Sequence, residues 1–301
     1  METTGQSENR YQLPFGQHHA FIIGIDKYEQ VSPLQTAVND ARKLAEVLKE
    51  QQHFREPEPT LLLNAKGEEI RHLLKILPEK VGEKDRVLFY FAGHGIAADG
   101  EDGPAGYLVP ADADPTDVKT FIPMEDLHQQ LDALPCRHLL LILDCCFSGA
   151  FKWSSQHRAI GTLMPKKIFK ERFDRFIRDL AWQVITSAAS DQKALDVLRG
   201  EGLRGKVTGD RGVKKSPEGA HSPFALALFE GLKGEADIKV GQEGDGVITA
   251  TELYAYIRDQ IEPATIKESQ KLRQTPGFFP LRKHDKGEFI FLHPRHRLNL
   301  P

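Results

Sequence analysis

LLLILDCCFSGAF, residues 139 to 151, is the stretch that decides the fold. A continuous apolar run that stops at a charged residue and a Ser-Gly turn is typical of a strand buried in a parallel sheet. Asp144, Cys145 and Cys146 follow the run directly, so polar and nucleophilic groups stand where the strand ends. The whole chain has three cysteines, and two of them are adjacent here. The doublet therefore has to be explained as packing, as metal binding or as chemistry.

Composition narrows the function classes. Of the 301 residues 40% are hydrophobic and 28% are charged, with a net charge of −3, which is typical of a globular protein and does not point to nucleic acid or a membrane surface. No window approaches the about eighteen apolar residues of a membrane span, and the first residues are polar, so we expect a cytoplasmic protein without a signal peptide. Without a CxxC pair or a His cluster, the cysteines fit neither a disulfide framework nor a zinc site. Buried thiols or a reactive one are left.

Short aliphatic runs alternate with helical patterns along the chain, which predicts an α/β fold. We expect a doubly wound, mostly parallel sheet of about six strands with helices on both faces. The strands are predicted at 19–26, 60–64, 85–93, 137–144, 181–188 and 287–292, with a small hairpin at 106–112. The helices are predicted at 34–48, 68–77, 124–134, 222–232 and 249–261. Ser222 is the expected N-cap of the fourth helix, with Pro223 at its first position.

One domain is predicted over 18–293, between a polar N-terminal arm (1–17) and a C-terminal tail (294–301). Two basic segments, 152–181 and 199–220, interrupt the alternation of strands and helices. Such charge runs are often solvated surface. Near the end of the first segment, however, apolar residues recur every three to four positions, which predicts a helix that docks on the domain.

Two predicted strand ends carry the candidate chemistry. Ligands of open α/β sheets bind outside the carboxyl ends of the strands. FAGHG ends the third strand and places His94 between Gly93 and Gly95, while DCCFSG ends the fourth. A lone cysteine is more often packing and a lone histidine a turn residue. If the two strands are neighbours, however, an imidazole and the thiol of Cys146 share one edge, which is the setting of an activated nucleophile. The backbone N–H groups of Gly95 and Cys146 are then candidates for an oxyanion site.

Two other enzyme classes fit the sequence less well. Residues 93–98 match a dinucleotide-binding GxGxxA pattern, but the following ADGEDGPAG predicts a loop, so no helix N-terminus is available for a pyrophosphate. Ser148 lacks the GxSxG elbow of a serine hydrolase.

FYFAGHG followed by LLLILDCCFSG resembles the His and Cys boxes of the caspase-like cysteine peptidases, and most closely the metacaspase branch. The spacing of about fifty residues agrees, and FIIGID, AVNDA, GYLVPAD, VITSAAS and HSPFALAL follow the family order between about 18 and 293. The caspase pentapeptide beginning QAC is not matched, because Asp144 replaces its Gln. In the metacaspase pattern Asp-x-Cys-x-Ser-Gly, the resemblance makes Cys146 the nucleophile, Cys145 a packing residue and His94 its partner, with no third residue required.

The resemblance also implies cleavage after Arg or Lys, with Asp40 and Asp144 as the acidic residues of the S1 pocket. Two carboxylates suit a guanidinium because they can bind it in a bidentate manner. Asp40 also has a simpler explanation as a first-turn helix residue. Two further pocket positions of the family are Ala37 and Ala92 here, which predicts a roomier or less polar pocket.

Many metacaspases require calcium. At the corresponding positions this chain has Ala105, Met124 and Trp153, and only Glu125 is acidic. Because calcium needs six to eight oxygen ligands, we expect no metal site and no cofactor. Residues 241–252 resemble an EF-hand loop, but Gly241 stands in place of the first ligand, which favours a turn leading into a helix.

The segment 152–181 takes the place of the linker between caspase subunits, so an Arg- or Lys-specific enzyme could cleave itself there. The candidate sites are Arg158, Lys166, Lys167, Arg172, Arg175 and Arg178. Expected partners are proteins with exposed Arg or Lys and an upstream activator or fused sensor domain, but neither nucleic acid nor a membrane. The alternative is a catalytically silent scaffold, and the presence of both His94 and Cys146 argues against it.

Overall fold

A six-stranded sheet forms the centre of the molecule. The computed structural model describes residues 13–52, 54–100, 103–145, 168, 170–187, 221–237, 244–266 and 275–294. The strands of the main sheet, in spatial order, are β10 (Gly277–Pro280), β8 (Ala181–Thr186), β7 (His138–Asp144), β3 (Arg86–Ala92), β1 (His18–Gly24) and β2 (Thr60–Leu63). All neighbours are parallel except β10 and β8. The predicted α/β fold is confirmed.

The two strands that carry the candidate chemistry lie side by side. β3 pairs with β7 in a parallel register that runs from Arg86 opposite His138 to Ala92 opposite Asp144. Every residue of both strands is buried, as their unbroken apolar runs require when helices cover both faces. Ala92 and Asp144 are the paired last residues of these adjacent strands. In the sequence, His94 comes two residues after Ala92, and Cys146 comes two residues after Asp144.

Helices cover both faces of the sheet. One apolar layer joins the sheet to α1 (Ala37–Gln51), α5 (Pro223–Glu230) and α6 (Ala250–Ile266), and another joins it to α2 (Gly67–Lys80) and α3 (Met124–Asp132). The start of α1 lies so close to the end of β1 that a Cβ on Gly24 would meet the Ala37 carbonyl oxygen at 2.5 Å. Glycine at this position lets α1 bring its first turn to the carboxyl edge of the sheet.

The predicted closing strand at 287–292 was placed in the wrong sheet. Its observed part, β11 (Ile290–Leu292), pairs antiparallel with β9 (Val247–Thr249) in a separate two-stranded sheet. The sixth place in the main sheet belongs to the short strand β10, which is antiparallel to β8. A four-residue segment that ends in proline gives a weak strand pattern in the sequence. Packing decides its place, because Phe278 of β10 stacks on Tyr254 of α6 with ring centroids 5.3 Å apart.

The predicted hairpin is larger than expected. β4 (Gly95–Gly100) and β5 (Gly103–Leu108) form an antiparallel pair, and β6 (Ile122–Pro123) extends it to three strands. The stretch 98–106, which the sequence predicted as a loop, therefore contains the end of β4 and the start of β5. The argument against a dinucleotide site stands, since His94 leads into a strand and not into a helix.

The end of the first basic segment forms the predicted docked helix, α4 (Lys170–Arg178). Phe173 and Phe176 are buried with Val247 of β9 and Ile290 of β11. Within the described ranges, no helix has both the length and the apolar character needed to cross a membrane.

Candidate active site

The imidazole of His94 is held in a defined orientation at the carboxyl edge of β3. Its backbone N–H donates to the hydroxyl oxygen of Tyr28 (2.8 Å), and the two rings are in contact with centroids 4.8 Å apart. Nε2 of His94 lies 2.8 Å from the carbonyl oxygen of Ser32. A carbonyl oxygen can only accept, so Nε2 carries a hydrogen and donates it. In the neutral ring, Nδ1 is then the atom with a free lone pair, which is the atom a general base requires.

The loop that presents the Ser32 carbonyl is itself fixed. Asn64, whose backbone has a positive φ of 53°, accepts hydrogen bonds from the backbone N–H groups of Asp26 and Lys27 through its side chain (2.9 Å each). The N–H of Leu34 closes the loop on the Asp26 carbonyl (2.9 Å). No third residue that orients the histidine was identified from the sequence. It is a backbone carbonyl 62 positions away, so no residue type could have marked it.

The end of β7 is described as far as Cys145, which is buried. Its burial agrees with the packing role predicted for it. The backbone N–H of Gly93 donates to the Asp144 carbonyl (3.3 Å), so the ends of β3 and β7 are tied together where the predicted dyad begins. Cys146 lies outside the described residues. The predicted oxyanion donor Gly95 is the first residue of β4, and the other one, the N–H of Cys146, is again outside.

Asp40 and Asp144, the predicted S1 residues, are brought together by a single serine. The backbone N–H of Ser222 donates to Oδ2 of Asp40 (3.1 Å), and its hydroxyl donates to Oδ2 of Asp144 (2.8 Å). The same hydroxyl oxygen accepts from the N–H of Ala225 (3.0 Å), which confirms Ser222 as the N-cap of α5. Residues that are 182 and 78 positions from Ser222 in the chain thus form one polar network.

His221 completes this network, and sequence reasoning missed its part. Its Nδ1 donates to Oδ1 of Asp40 (2.6 Å), while Phe229 packs edge-on against its ring with centroids 5.4 Å apart. The side chains of His221 and Asp40 are 5% and 1% exposed. The available signal was the position of His221, directly before Ser222 and Pro223 at the start of a predicted helix.

Burial dominates the electrostatics beneath this network. Removal from water raises the pKa of Asp40, and the hydrogen bonds from His221 and Ser222 oppose the rise. Burial also raises the pKa of Tyr90 well above its ordinary value, with further contributions from the negative charges of Asp144 and Asp40. Among the described residues, the hydroxyl of Tyr90 has no hydrogen-bond partner. The two alanines of the predicted pocket, Ala37 and Ala92, are buried as well.

The positions considered for calcium do not converge on a set of oxygen ligands in the described ranges. Ala105 lies in β5, Met124 is buried at the start of α3, and Glu125 is exposed, while Trp153 is outside. The part of the chain that the structure describes contains no group of three or more His, Cys, Asp or Glu side chains arranged to hold a metal. Independence from calcium stays a prediction.

The EF-hand-like segment 241–252 is described from residue 244. Val247–Thr249 forms β9, and α6 follows it directly. The carboxylate of Asp237, which precedes this segment, accepts hydrogen bonds from the backbone N–H groups of Asp245 and Gly246 (3.1 and 3.0 Å). The described part is therefore a turn and a short strand that lead into a helix.

The candidate self-cleavage sites divide between two parts of the chain. Arg172, Arg175 and Arg178 lie on α4, and Arg175 and Arg178 are exposed. Arg158, Lys166 and Lys167 lie outside the described residues, as does the basic segment 199–220.

Comparison with known proteins gives one family. The sequence profile of the caspase domain family, peptidase family C14, matches residues 17–284. Metacaspase-1 from Eremothecium gossypii is 21% identical over 269 residues, which are 83% of this chain and 58% of that protein. This chain therefore spans little more than half the length of that relative.

Solved structures agree at the level of the fold. A protein from Geobacter sulfurreducens superposes with a TM-score of 0.53 at 15% identity, covering 88% of this chain and 94% of that one. Caspase-1 from Spodoptera frugiperda superposes with a TM-score of 0.51 at 14% identity, covering 95% of this chain and 96% of that one.

Proposed function

Because the chain belongs to the caspase domain family of cysteine peptidases, we propose that it is an endopeptidase that cleaves proteins after Arg or Lys through Cys146 and His94. The observation that carries the proposal is the parallel register of β3 and β7, together with the orientation of His94. Cys146 follows a strand end adjacent to the one that His94 follows, and the Ser32 carbonyl leaves Nδ1 of His94 as the basic atom.

The proposed reaction proceeds in two steps. Nδ1 of His94 takes the proton of the Cys146 thiol, and the sulfur attacks the carbonyl carbon of the scissile bond. The same proton then passes to the leaving amine as the carbon–nitrogen bond breaks, which gives a thioester. Water attacks the thioester, transfers a proton through Nδ1 to the sulfur, and releases the acid product. The N–H groups of Gly95 and Cys146 are the proposed donors to the oxyanion.

The proposed preference for a basic P1 residue rests on Asp40 and Asp144. Both are buried or nearly so, and a carboxylate removed from water attracts a cation more strongly than one at the surface. The two other predicted pocket positions, Ala37 and Ala92, are buried and carry no polar side-chain atom. A long side chain with a charged end fits this combination, and we expect cleavage without calcium.

A positional-scanning peptide library tests the proposal on wild-type protein and on C146A, with and without calcium. We expect Arg or Lys at P1, equal rates in both conditions and no cleavage by C146A. D144N is the specificity control and should lose rate on basic P1 residues. A preference for Asp at P1 would overturn the S1 assignment. If the wild-type protein cleaves nothing, the alternative of a silent caspase-like scaffold is favoured.

Self-cleavage is proposed at Arg158, Lys166 or Lys167. A peptidase binds its substrate as an extended chain, and the helix α4 would have to unfold before Arg172, Arg175 or Arg178 could enter the site. Incubated wild-type protein should give two fragments of about half the 33.8 kDa mass, and C146A should stay whole. If the wild-type protein stays whole while it cleaves a peptide, self-processing is not its activation route.

The proposed partners are proteins with exposed Arg or Lys and an upstream activator or fused sensor domain. Cys136 and Cys145 are buried and form no disulfide among the described residues, which fits a reducing compartment, and we propose the cytoplasm.

A further inference from the structure

The acidic side of the S1 site is already occupied by the protein itself. Oδ1 of Asp40 accepts from Nδ1 of His221 at 2.6 Å, and Oδ2 accepts from the backbone N–H of Ser222 at 3.1 Å. Asp40 is 0% exposed as a residue, whereas Asp144 is 8% exposed. A P1 side chain that entered now would meet Asp144 and would find both oxygens of Asp40 engaged.

His221 offers Asp40 what a guanidinium would offer. A planar nitrogen group donates a hydrogen bond in the plane of the carboxylate, and a second N–H, from Ser222, serves the other oxygen. A buried carboxylate without such donors would be costly, because it has lost its water. The buried carboxylate of Asp40 therefore needs donors: Thr36 and Ser222 are two of them, and His221 is the third.

Ser222 and His221 differ in how easily they can leave. Ser222 is fixed by its cap on α5 and by its second bond to Asp144. His221 precedes the helix, and its side chain, which is 5% exposed, packs edge-on against Phe229. Rotation of one side chain would free Oδ1 of Asp40 while the serine keeps the two acids in place.

We propose that His221 is a placeholder in the S1 site: its ring pairs with Asp40 until the basic P1 side chain of a substrate displaces it. The inference rests on the proposed function, since it assumes that Asp40 and Asp144 receive P1. His221 is on this view a positioning residue that sets how tightly the site takes a cation.

Agmatine, a small guanidinium compound, is the probe, and its affinity is measured by calorimetry on C146A protein. H221A removes the competitor and should bind agmatine about tenfold tighter, since a hydrogen bond to a charged group contributes on that order. H221N is the matched control, because its side-chain N–H stands where Nδ1 does; it should bind like the parent. A merely structural role for His221 would weaken binding in H221A.

A second measurement needs no change at position 221. The proton between His221 and Asp40 should give a strongly deshielded NMR signal, assigned by its absence in H221N. Saturating agmatine should remove this signal, and its persistence would overturn the placeholder.

D144N separates the two proposals. Agmatine binding that is lost in D144N but equal in the parent and H221A would overturn the placeholder and leave the S1 assignment standing. If agmatine binds to none of these proteins, both proposals fail.

Discussion

A buried charged residue lies at each end of the parallel strands of the central sheet, Asp40 at the carboxyl edge and Arg86 at the amino edge, and the two residues differ in the kind of partners they have. At the carboxyl edge, Asp40 is paired with hydrogen-bond donors, one of which belongs to a side chain that can rotate. At the amino edge, Arg86 is 1% exposed and donates to Nδ1 of His18 (2.7 Å) and to the Ile290 carbonyl. Four aromatic rings surround its guanidinium at 5.0–5.9 Å from their centroids: Phe15, Phe54, Phe289 and Phe291.

The difference shows which buried charge is available for function. The partners of Arg86 are backbone, a histidine at the start of β1 and ring faces from several parts of the chain. No single movement exposes it, so its charge stabilises the assembly of β3 with β11. The carboxylate of Asp40 is bonded by Thr36 in front of α1 and by His221 and Ser222 in front of α5, and His221 is the partner that we propose a substrate replaces. Burial of a charge therefore marks a functional site only when its partners can be exchanged.

The largest effect is expected on activity, at the carboxyl edge. H94A removes the general base and should lower kcat/KM for an Arg peptide by about 10²- to 10⁴-fold, while the thermal unfolding midpoint changes little, because the ring is only half-buried. Peptide hydrolysis and a thermal melt of the same preparation measure both. An H94A protein with wild-type activity would show that His94 is not the base.

At the amino edge the expected effect is on stability. R86A removes a fully buried side chain from its aromatic cage and should lower the free energy of unfolding by about 3 kcal/mol or more, as other large-to-small changes in cores do. R86M, which keeps most of the volume, is the control and should lose less. Urea denaturation measures both, and an R86A protein as stable as wild type would show that the cage contributes nothing.

Glu252 is a third buried ionisable residue, and no cation of the described residues pairs with it. Burial raises its pKa to about 8, against two hydrogen bonds from Thr249 that lower it. The folded protein thus holds this proton more tightly than the unfolded chain. The resulting stability is fully present below the unfolded pKa of about 4.5 and is lost as the pH rises through about 8.

E252Q should flatten this decline, since Gln keeps an acceptor for Thr249 and has no proton to lose. The measurement is the free energy of unfolding across that pH range, with E50Q on the exposed side of α1 as the control. An unchanged pH slope in E252Q would show that another group causes the decline.

Much of the fold was predictable because its signals are local. The buried apolar runs predicted both β3 and β7, and a parallel pairing of the two was enough to bring His94 and Asp144 to one edge. The N-cap at Ser222 was predictable as well, because a serine directly before a proline is a local signal for the start of a helix. β10 was missed because four residues ending in proline carry almost no pattern.

The sequence by itself determined most of the elements, the family and the residues with chemistry at the strand ends, because these depend on neighbours a few positions apart. Only the tertiary structure decided which groups form hydrogen bonds with these residues. The Ser32 carbonyl is a backbone atom that every residue has, and His221 lies 181 positions from Asp40. Such contacts form only when distant parts of the chain pack together at the carboxyl edge of the sheet. The same packing removes water, and electrostatic interactions of the buried groups become stronger as a result.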